Sequence, residues 1–234
     1  LNLTSGIVQT LPPIQIDLTP RKQSALISMN IYSRLIFPIL IDRVMSGEDF
    51  AIYRREILAD AVGKVLEIGF GTGLNLDYYP INRVQKVTTV DINPGMNKLA
   101  QKRISASQIS VEYQVLNGEK LPMADDTFDT VVSTWTLCSI KNVEQAITEI
   151  YRVLKPGGKF IFIEHGLSNE PNIQTWQHRL TPIQKMIGDG CHLDREIKKL
   201  IAKQFSNLDI KEFYAPNQPK IGGYFYQGIA TKSQ

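Results

Sequence analysis

The residues best suited by type and spacing to do chemistry are Glu67-Ile68-Gly69-Phe70-Gly71-Thr72-Gly73, directly after the short run Lys64 to Ile68. Glycines at alternate positions let the backbone turn sharply and let a ligand approach without interference from a Cβ. Helical backbone opening there offers unpaired N–H groups and the positive end of a dipole to a carboxylate or phosphate. Dinucleotide sites favour the spacing G-x-G-x-x-G, whereas this loop reads G-x-G-x-G. Asp91 closes the next strand-like run, Lys86 to Asp91. A carboxylate at that place can accept both ribose hydroxyl protons of an adenosine-bearing cofactor. A dehydrogenase remains the alternative for such a loop, and the third glycine's position weighs against it.

The elements that must hold this loop follow from the apolar pattern. Strand-like runs at Lys64 to Ile68, Lys86 to Asp91, Ser110 to Val115, Phe128 to Ser133 and Lys159 to Glu164 alternate with helical stretches. Asn93-Pro94 reads as a cap with proline at the first helical position, opening a helix to about Ser105. Asn142 caps a further helix, with Gln145 in the capping-box place and Val143, Ala146, Ile147, Ile150, Val153 and Leu154 at helical spacing. Pro156-Gly157-Gly158 stops it. Alternation of this kind predicts a parallel sheet covered on both faces. Downstream, Asp194 to Phe205 is amphipathic. Leu208 to Tyr214 and Tyr224 to Ala230 are joined too briefly for a crossover, so they predict an antiparallel pair.

Upstream of the loop, residues 1–20 read as an extended arm. Gln23 to Met45 reads as a helix broken near Pro38, and Asp49 to Ala61 as a second one closed by Gly63. The division expected is an N-terminal arm with lid helices over residues 1–62 and a cofactor-binding domain over residues 63–234.

With 234 residues, 43% hydrophobic and 21% charged, the chain has the composition of one globular domain with an appendage. A net charge of +3 is too weak a basic balance to suggest nucleic acid. No apolar run approaches the roughly 18 residues of a membrane span. The visible start has no basic stretch followed by an apolar core, so no signal peptide is expected in it, and a cytoplasmic setting is. Cys138 and Cys191 cannot form a disulfide framework, and no metal-ligand spacing joins them, so no metal is expected.

The glycine loop, with Val90-Asp91-Ile92, resembles the class I S-adenosylmethionine-dependent methyltransferases, of the type 11 group. Asn117-Gly118-Glu119-Lys120-Leu121-Pro122, Asp126-Thr127-Phe128-Asp129 and Leu154-Lys155-Pro156-Gly157-Gly158-Lys159 continue the resemblance in order, from Val65 to about Glu164. It implies a Rossmann-like α/β fold: a mostly parallel seven-stranded sheet, a C-terminal antiparallel hairpin and N-terminal lid helices. It also implies S-adenosylmethionine as cofactor and S-adenosylhomocysteine as product. Gly69, Gly71 and Gly73 would wrap the methionine and ribose, and Glu67 would orient the loop or meet the ammonium through water. Asp91 would hold the ribose hydroxyls with Ile92 beneath the adenine. Asn117, Gly118 and Glu119 would border the adenine, Thr134 would sit near the methionine, and Asn75 would face the loop.

The acceptor side is read from a narrower likeness. Trp135 to Ile140, Glu164-His165-Gly166, Trp176 and Asp189-Gly190-Cys191-His192-Leu193-Asp194-Arg195-Glu196 resemble the thiol methyltransferase branch of the methyltransferase-like proteins. In that branch threonine stands where this chain has Asp194, and His192 fills a polar slot. His165 and His192 are the base candidates, because histidine alone titrates near neutrality unperturbed. Asp189 would act as base or orient one of them. Tyr32, Tyr53, Cys138 and Cys191 are expected in the substrate pocket, and His178 has no companion that recommends it.

The expected function is methyl transfer to a small-molecule acceptor, a lipophilic thiol first. Phospholipid or quinone-precursor methylation is the alternative, motivated by the apolar stretch Tyr32 to Met45, which would also serve a less favoured contact with a membrane interface. A cofactor-binding protein without catalysis is the alternative from another class.

Overall fold

The computed structural model describes residues 31–234. The expected arm, and the part of the first expected helix before Ile31, lie outside the described residues. A π-helical turn, Tyr32–Ile36, leads into α1 (Phe37–Met45), with Pro38 in its first turn where a missing N–H costs nothing. The expected break near Pro38 is thus a change of helical pitch just before it. Helix α2 (Glu48–Leu58) follows, opened by Glu48 and Asp49 at its positive end. It stops short of the expected Ala61. Gly63 does not cap it but opens β1 (Gly63–Ile68) at φ 65°. A Cβ at Gly63 would lie 2.4 Å from Asp129 Oδ2, a carboxylate oxygen that accepts the Lys64 N–H.

Besides 3-10 turns at Leu74–Tyr78 and Pro94–Met96, the remaining elements are β2 (Val84–Asp91), α3 (Asn97–Ala106), β3 (Val111–Val115), β4 (Phe128–Thr134), α4 (Val143–Val153), β5 (Leu154–His165), α5 (Pro171–Ile187), α6 (Ile197–Ala202), β6 (Asn207–Tyr214) and β7 (Tyr224–Thr231). The sheet order is β3-β2-β1-β4-β5-β7-β6. The first four pairings are parallel, and β7 runs antiparallel to both β5 and β6. The chain order reverses between β1 and β4, and the ends of these strands form the crevice where open α/β sheets bind ligands.

Side-chain alternation splits the core across the sheet. Leu66, Ile68, Val131, Phe160 and Phe162 pack against the apolar stripe of α4 and against Ile197 and Ile201 of α6. Val65, Val87, Val132, Ile161 and Ile163 pack on the other face beneath Ile57, Leu58 and Ala100. Each such side chain, wholly buried, contributes about 1.5–3 kcal/mol. Asn142 caps α4 by accepting the Gln145 N–H at 3.3 Å.

Helix α5 has no counterpart in the apolar pattern. Its buried residues are polar, Gln177 and Thr181. Gln177 accepts the Ser168 N–H and donates to the carbonyls of Gly166 and Ile221. A helix docked by hydrogen bonds leaves no apolar stripe in its sequence.

Candidate active site

At the end of β1 the glycine loop turns back over the sheet, and Gly69 and Phe70 donate their N–H groups to Val90 O. Gly69 has φ 75°, and a Cβ there would lie 2.0 Å from Thr136 Oγ1, so only glycine fits. Gly71 and Gly73 are also left-handed. Gly71 donates its N–H to Asp91 Oδ2 at 2.6 Å, and Asn93 donates its own to Asp91 Oδ1 at 2.7 Å. Asp91 is therefore a buried acceptor at the strand end, and burial pushes its carboxyl up to about 6 against the two N–H groups that pull it down.

Glu67 is wholly buried beneath the loop. Its two oxygens accept Asn75 Nδ2 at 2.8 Å and the Tyr79 hydroxyl at 2.7 Å, and burial still raises it to about 7. Asn75 also donates to Thr134 Oγ1 at 3.1 Å and accepts from Arg54 Nε at 3.1 Å. Arg54 in turn donates to Met45 O and lies 4.9 Å from the Trp135 ring centre. Ile92 is exposed beside Asp91. The Asn117–Glu119 turn is closed by Asn117 Oδ1 accepting the Glu119 N–H, and Glu119 takes the Asn142 N–H. Gly118 sits against Ile68, where a Cβ would come within 3.1 Å.

This donor set fits S-adenosylmethionine. Each Asp91 oxygen takes one N–H and, having two lone pairs, keeps capacity for a ribose hydroxyl. The loop presents backbone rather than side chains, and a buried carboxylate waits beneath it.

The N-terminal helices are tied to this loop. Asp42 of α1 accepts from Thr72 Oγ1 at 2.6 Å and from Arg103 at 2.7 Å, which hold its carboxyl below the usual range despite partial burial. Asn93 Nδ2 donates to Ser33 O at 2.9 Å and to Asp189 Oδ2 at 3.1 Å, and Ser33 Oγ donates to Asp189 Oδ1 at 2.8 Å. Gly95 lies so close to the Arg34 backbone that a Cβ would come within 2.2 Å of its carbonyl oxygen. The Tyr32 hydroxyl reaches Ile187 O at 2.7 Å. Asp42, Arg103, Ser33 and Tyr79 carried no signal in the sequence, since each acts through a neighbour distant along the chain.

Across the ends of β4 and β5 lies a second buried group. Glu164 is wholly buried, and its Oε1 accepts Ser133 Oγ and the N–H groups of Thr136 and Leu137. His165 Nε2 lies 2.9 Å from Cys191 Sγ, and the proximity of that thiol and of Glu164 raises the imidazole pKa against its burial. Cys138 completes a cluster in which the three ligand-type atoms lie within 4.8 Å of one another. The two cysteines that no metal spacing joined along the chain thus meet in space. Left-handed backbone at Asp189 and Gly190 turns the segment inward, His192 donates its N–H to Cys138 O, and Arg195 donates to the carbonyls of Leu137 and Ile140.

His192 is partly exposed, with Nδ1 3.5 Å from Asp194 Oδ1. Burial and the nearby Arg195 and Lys185 charges lower its pKa. His178 does have a companion: its Nδ1 lies 3.1 Å from Asp194 Oδ2, on the exposed side of α5. Tyr53 is packed on Phe213 and Phe225 in an aromatic wall that also holds Phe50 and Trp135.

Sheet order, glycine loop and strand-end acid define the fold of the S-adenosylmethionine-dependent methyltransferases. A Haemonchus contortus phosphoethanolamine N-methyltransferase 2, solved with S-adenosyl-L-methionine, superposes with a TM-score of 0.59 at 16% identity, covering 86% of this chain and 60% of that one. The methyltransferase domain family model matches residues 66–162. Human thiol S-methyltransferase TMT1A is 36% identical over 208 residues, 80% of this chain and 84% of its own length. Rat thiol S-methyltransferase TMT1B is 42% identical over 154 residues, 63% of this chain, and the match spans 62% of that protein. Demethylmenaquinone methyltransferase of Symbiobacterium thermophilum is 34% identical over 53% of each chain. The chain belongs to the class I S-adenosylmethionine-dependent methyltransferase family, with TMT1A and TMT1B as relatives.

Proposed function

We propose that this chain transfers the methyl group of S-adenosylmethionine to the sulfur of a small lipophilic thiol. The observation that carries the reading is the gathering of Cys138, His165 and Cys191 by the ends of β4 and β5, in a chain 36% identical to human thiol S-methyltransferase TMT1A. When bound, the cofactor supplies a methyl group on a sulfonium, open to in-line displacement by a nucleophile held in line with it.

In this reading Gly69, Gly71 and Gly73 cradle the cofactor's methionine and ribose, and Asp91 holds the ribose hydroxyls. Ile92, Asn117, Gly118 and Glu119 border the adenine. Glu67, Asn75 and Thr134 shape the methionine end. Residues 31–62 act as the described part of a lid over the domain that begins at 63, pinned by Asp42 and Ser33. Tyr32, Tyr53, Cys138 and Cys191 belong to the walls of the acceptor side. His192 accepts the thiol proton, since its lowered pKa keeps it neutral at pH 7. Each Asp189 oxygen accepts one hydrogen bond, from Ser33 and from Asn93, and its part is to position the lid. His165, engaged with Cys191, holds the pocket wall.

A second reading, transfer to a quinone precursor or phospholipid, is favoured by the exposed apolar side chains Leu35, Ile39, Leu40 and Val44 of the lid and by the menaquinone relative. No helix among the described residues is long and apolar enough to cross a membrane. The proposed setting is the cytoplasm, with that apolar face as the surface for peripheral contact.

Labelled-methyl transfer to an alkyl thiol, a quinol and phosphoethanolamine tests the choice. Turnover of the thiol alone is expected. Turnover of the quinol without the thiol would move the assignment to the second reading. Saturable cofactor binding without turnover of any acceptor would leave a binding protein.

A further inference from the structure

The Cys138, His165 and Cys191 cluster has features that the walls of an apolar pocket do not require. Two thiols and an imidazole from three separate segments converge, with all three ligand atoms within 4.8 Å. Both cysteines are free thiols and buried. The remaining imidazole nitrogen, His165 Nδ1, is buried with no hydrogen-bond partner, as is Glu164 Oε2 next along the strand. A buried polar atom left unpaired costs about 1–3 kcal/mol. These two orphaned atoms mark the surroundings of the cluster as polar, while the case for a ligand rests on the convergence of the two sulfurs and the imidazole.

The donor set says what. Two thiolates and one imidazole are the ligands of a thiophilic, borderline-soft cation, and three protein ligands with a fourth place open describe a catalytic rather than a structural zinc site. Zinc bonds of about 2.0–2.3 Å in a tetrahedron put ligand atoms about 3.5–3.8 Å apart. Binding would need His165 Nε2 and Cys191 Sγ, now 2.9 Å apart, to separate while the wider spacing within the 4.8 Å cluster closes. Charge balances as well, because a dication with two thiolates is neutral, which makes its burial affordable. Arg195, on the neighbouring loop carbonyls, and Glu164 supply opposite charges at its edge.

We propose that Cys138, His165 and Cys191 bind a single divalent zinc-type cation whose fourth position takes the sulfur of the acceptor. This deepens the thiol reading and rests on it for the fourth ligand only; the three-ligand site stands on its own geometry. Coordination would lower the pKa of the acceptor thiol, whose proton leaves to solvent. The sulfur then forms its bond to the methyl carbon while the sulfonium carbon–sulfur bond breaks, the electron pair staying on S-adenosylhomocysteine. The cation neither gains nor loses electrons.

Cobalt(II) titration of the full chain, after removal of bound metal by a chelator, tests the site. One equivalent should produce a thiolate-to-cobalt charge-transfer band, and the C138S and C191S variants should lose it while circular dichroism reports their folding. An alkyl thiol added to the cobalt protein should shift the band, and a thioether of the same shape should not. Absence of a saturable band in the wild-type chain with both thiols reduced overturns the site. A band that ignores the thiol overturns the fourth-position assignment. Thiol turnover that survives complete metal removal overturns the metal's part while sparing the thiol reading. A cobalt band in a protein that methylates only a quinol does the reverse.

Discussion

Two stretches along the strand ends each hold a buried acid with backbone N–H groups, but complete their sites by different means. At the ends of β1 and β2, Asp91 is fixed by N–H groups from the glycine loop and from its own turn, Gly71 and Asn93. At the ends of β4 and β5, Glu164 is fixed by Ser133, Thr136 and Leu137, and the cysteine cluster beside it draws on a segment beyond α5. The first site is built from backbone in tight turns, so its chemistry is set by where glycines stand. Beside the second, the cysteine cluster is built from side chains that meet across the fold, so its chemistry depends on which side chains arrive. A cofactor common to a family suits the first construction, and an acceptor that varies suits the second.

The largest effect should come from touching the backbone-built site. Gly69→Ala must place a Cβ 2.0 Å from Thr136 Oγ1 at φ 75°. Strain and overpacking together predict a loss of about 2–4 kcal/mol in chemical denaturation, with cofactor binding lost. A variant that keeps wild-type stability would mean that the loop is soft, and the contrast between the two sites would collapse.

Asp91→Asn comes next. Losing charge-assisted contacts of about 1.5–3 kcal/mol should weaken S-adenosylhomocysteine about ten- to hundredfold by calorimetry. The same residue predicts a pH profile. Burial raises its carboxyl from 3.8 to about 6, so the folded apoprotein keeps a proton that the unfolded chain has lost. That group's contribution to stability therefore falls as pH rises from about 4 to 6. Hydroxyl donors prefer the carboxylate, so cofactor affinity should rise through pH 6 and level off above 7. Asp91→Asn should flatten the rise. A profile unchanged in the variant would assign it to Glu67, which titrates near 7.

The helices before β1 touch both sites, through Asp42 at the glycine loop and Ser33 at Asp189, and are the proposed lid. The Asp42–Arg103 pair keeps 20% and 25% of its side-chain surfaces in water. After discounting for that exposure, Asp42→Ala should cost about 1 kcal/mol. The loss should appear as faster amide exchange in α1 and about fivefold weaker cofactor binding, with the sheet unaffected. Equal exchange in α1 would mean that the lid is held elsewhere.

How far these regions were legible in the sequence follows the same division. Strands β1 to β5, the caps at Asn93 and Asn142, and the β6–β7 pair could be read because periodicity and turn residues are local signals. The Glu67-to-Gly73 loop and Asp91 lie one helical turn and one strand apart, so their spacing carries information. Helix α5 was silent because Gln177 docks it by hydrogen bonds instead of an apolar stripe. The convergence of Cys138 with Cys191 left no spacing to find, because a turn of left-handed residues at Asp189 and Gly190 brings them together after a long excursion. Gly63 misled for a related reason: a left-handed glycine ends helices often, but here Asp129 from β4 requires it.

The smallest predicted effect is the most discriminating. Tyr32 joins the lid to the last turn of α5 by one exposed hydrogen bond to Ile187 O. Such a bond is worth about 0.5 kcal/mol, so Tyr32→Phe should raise the acceptor KM about twofold. Cofactor affinity should stay put, because Tyr32 makes no hydrogen bond to the glycine loop or Asp91, whereas Asp42 grips Thr72 directly. If Tyr32→Phe instead weakened the cofactor as Asp42→Ala is expected to, the lid would be one rigid piece serving both sites. The two constructions at the strand ends would then be coupled through the π-helical turn, where Ser33 binds Asp189 and Asn93 binds Ser33 in one continuous chain of hydrogen bonds leading to Asp91.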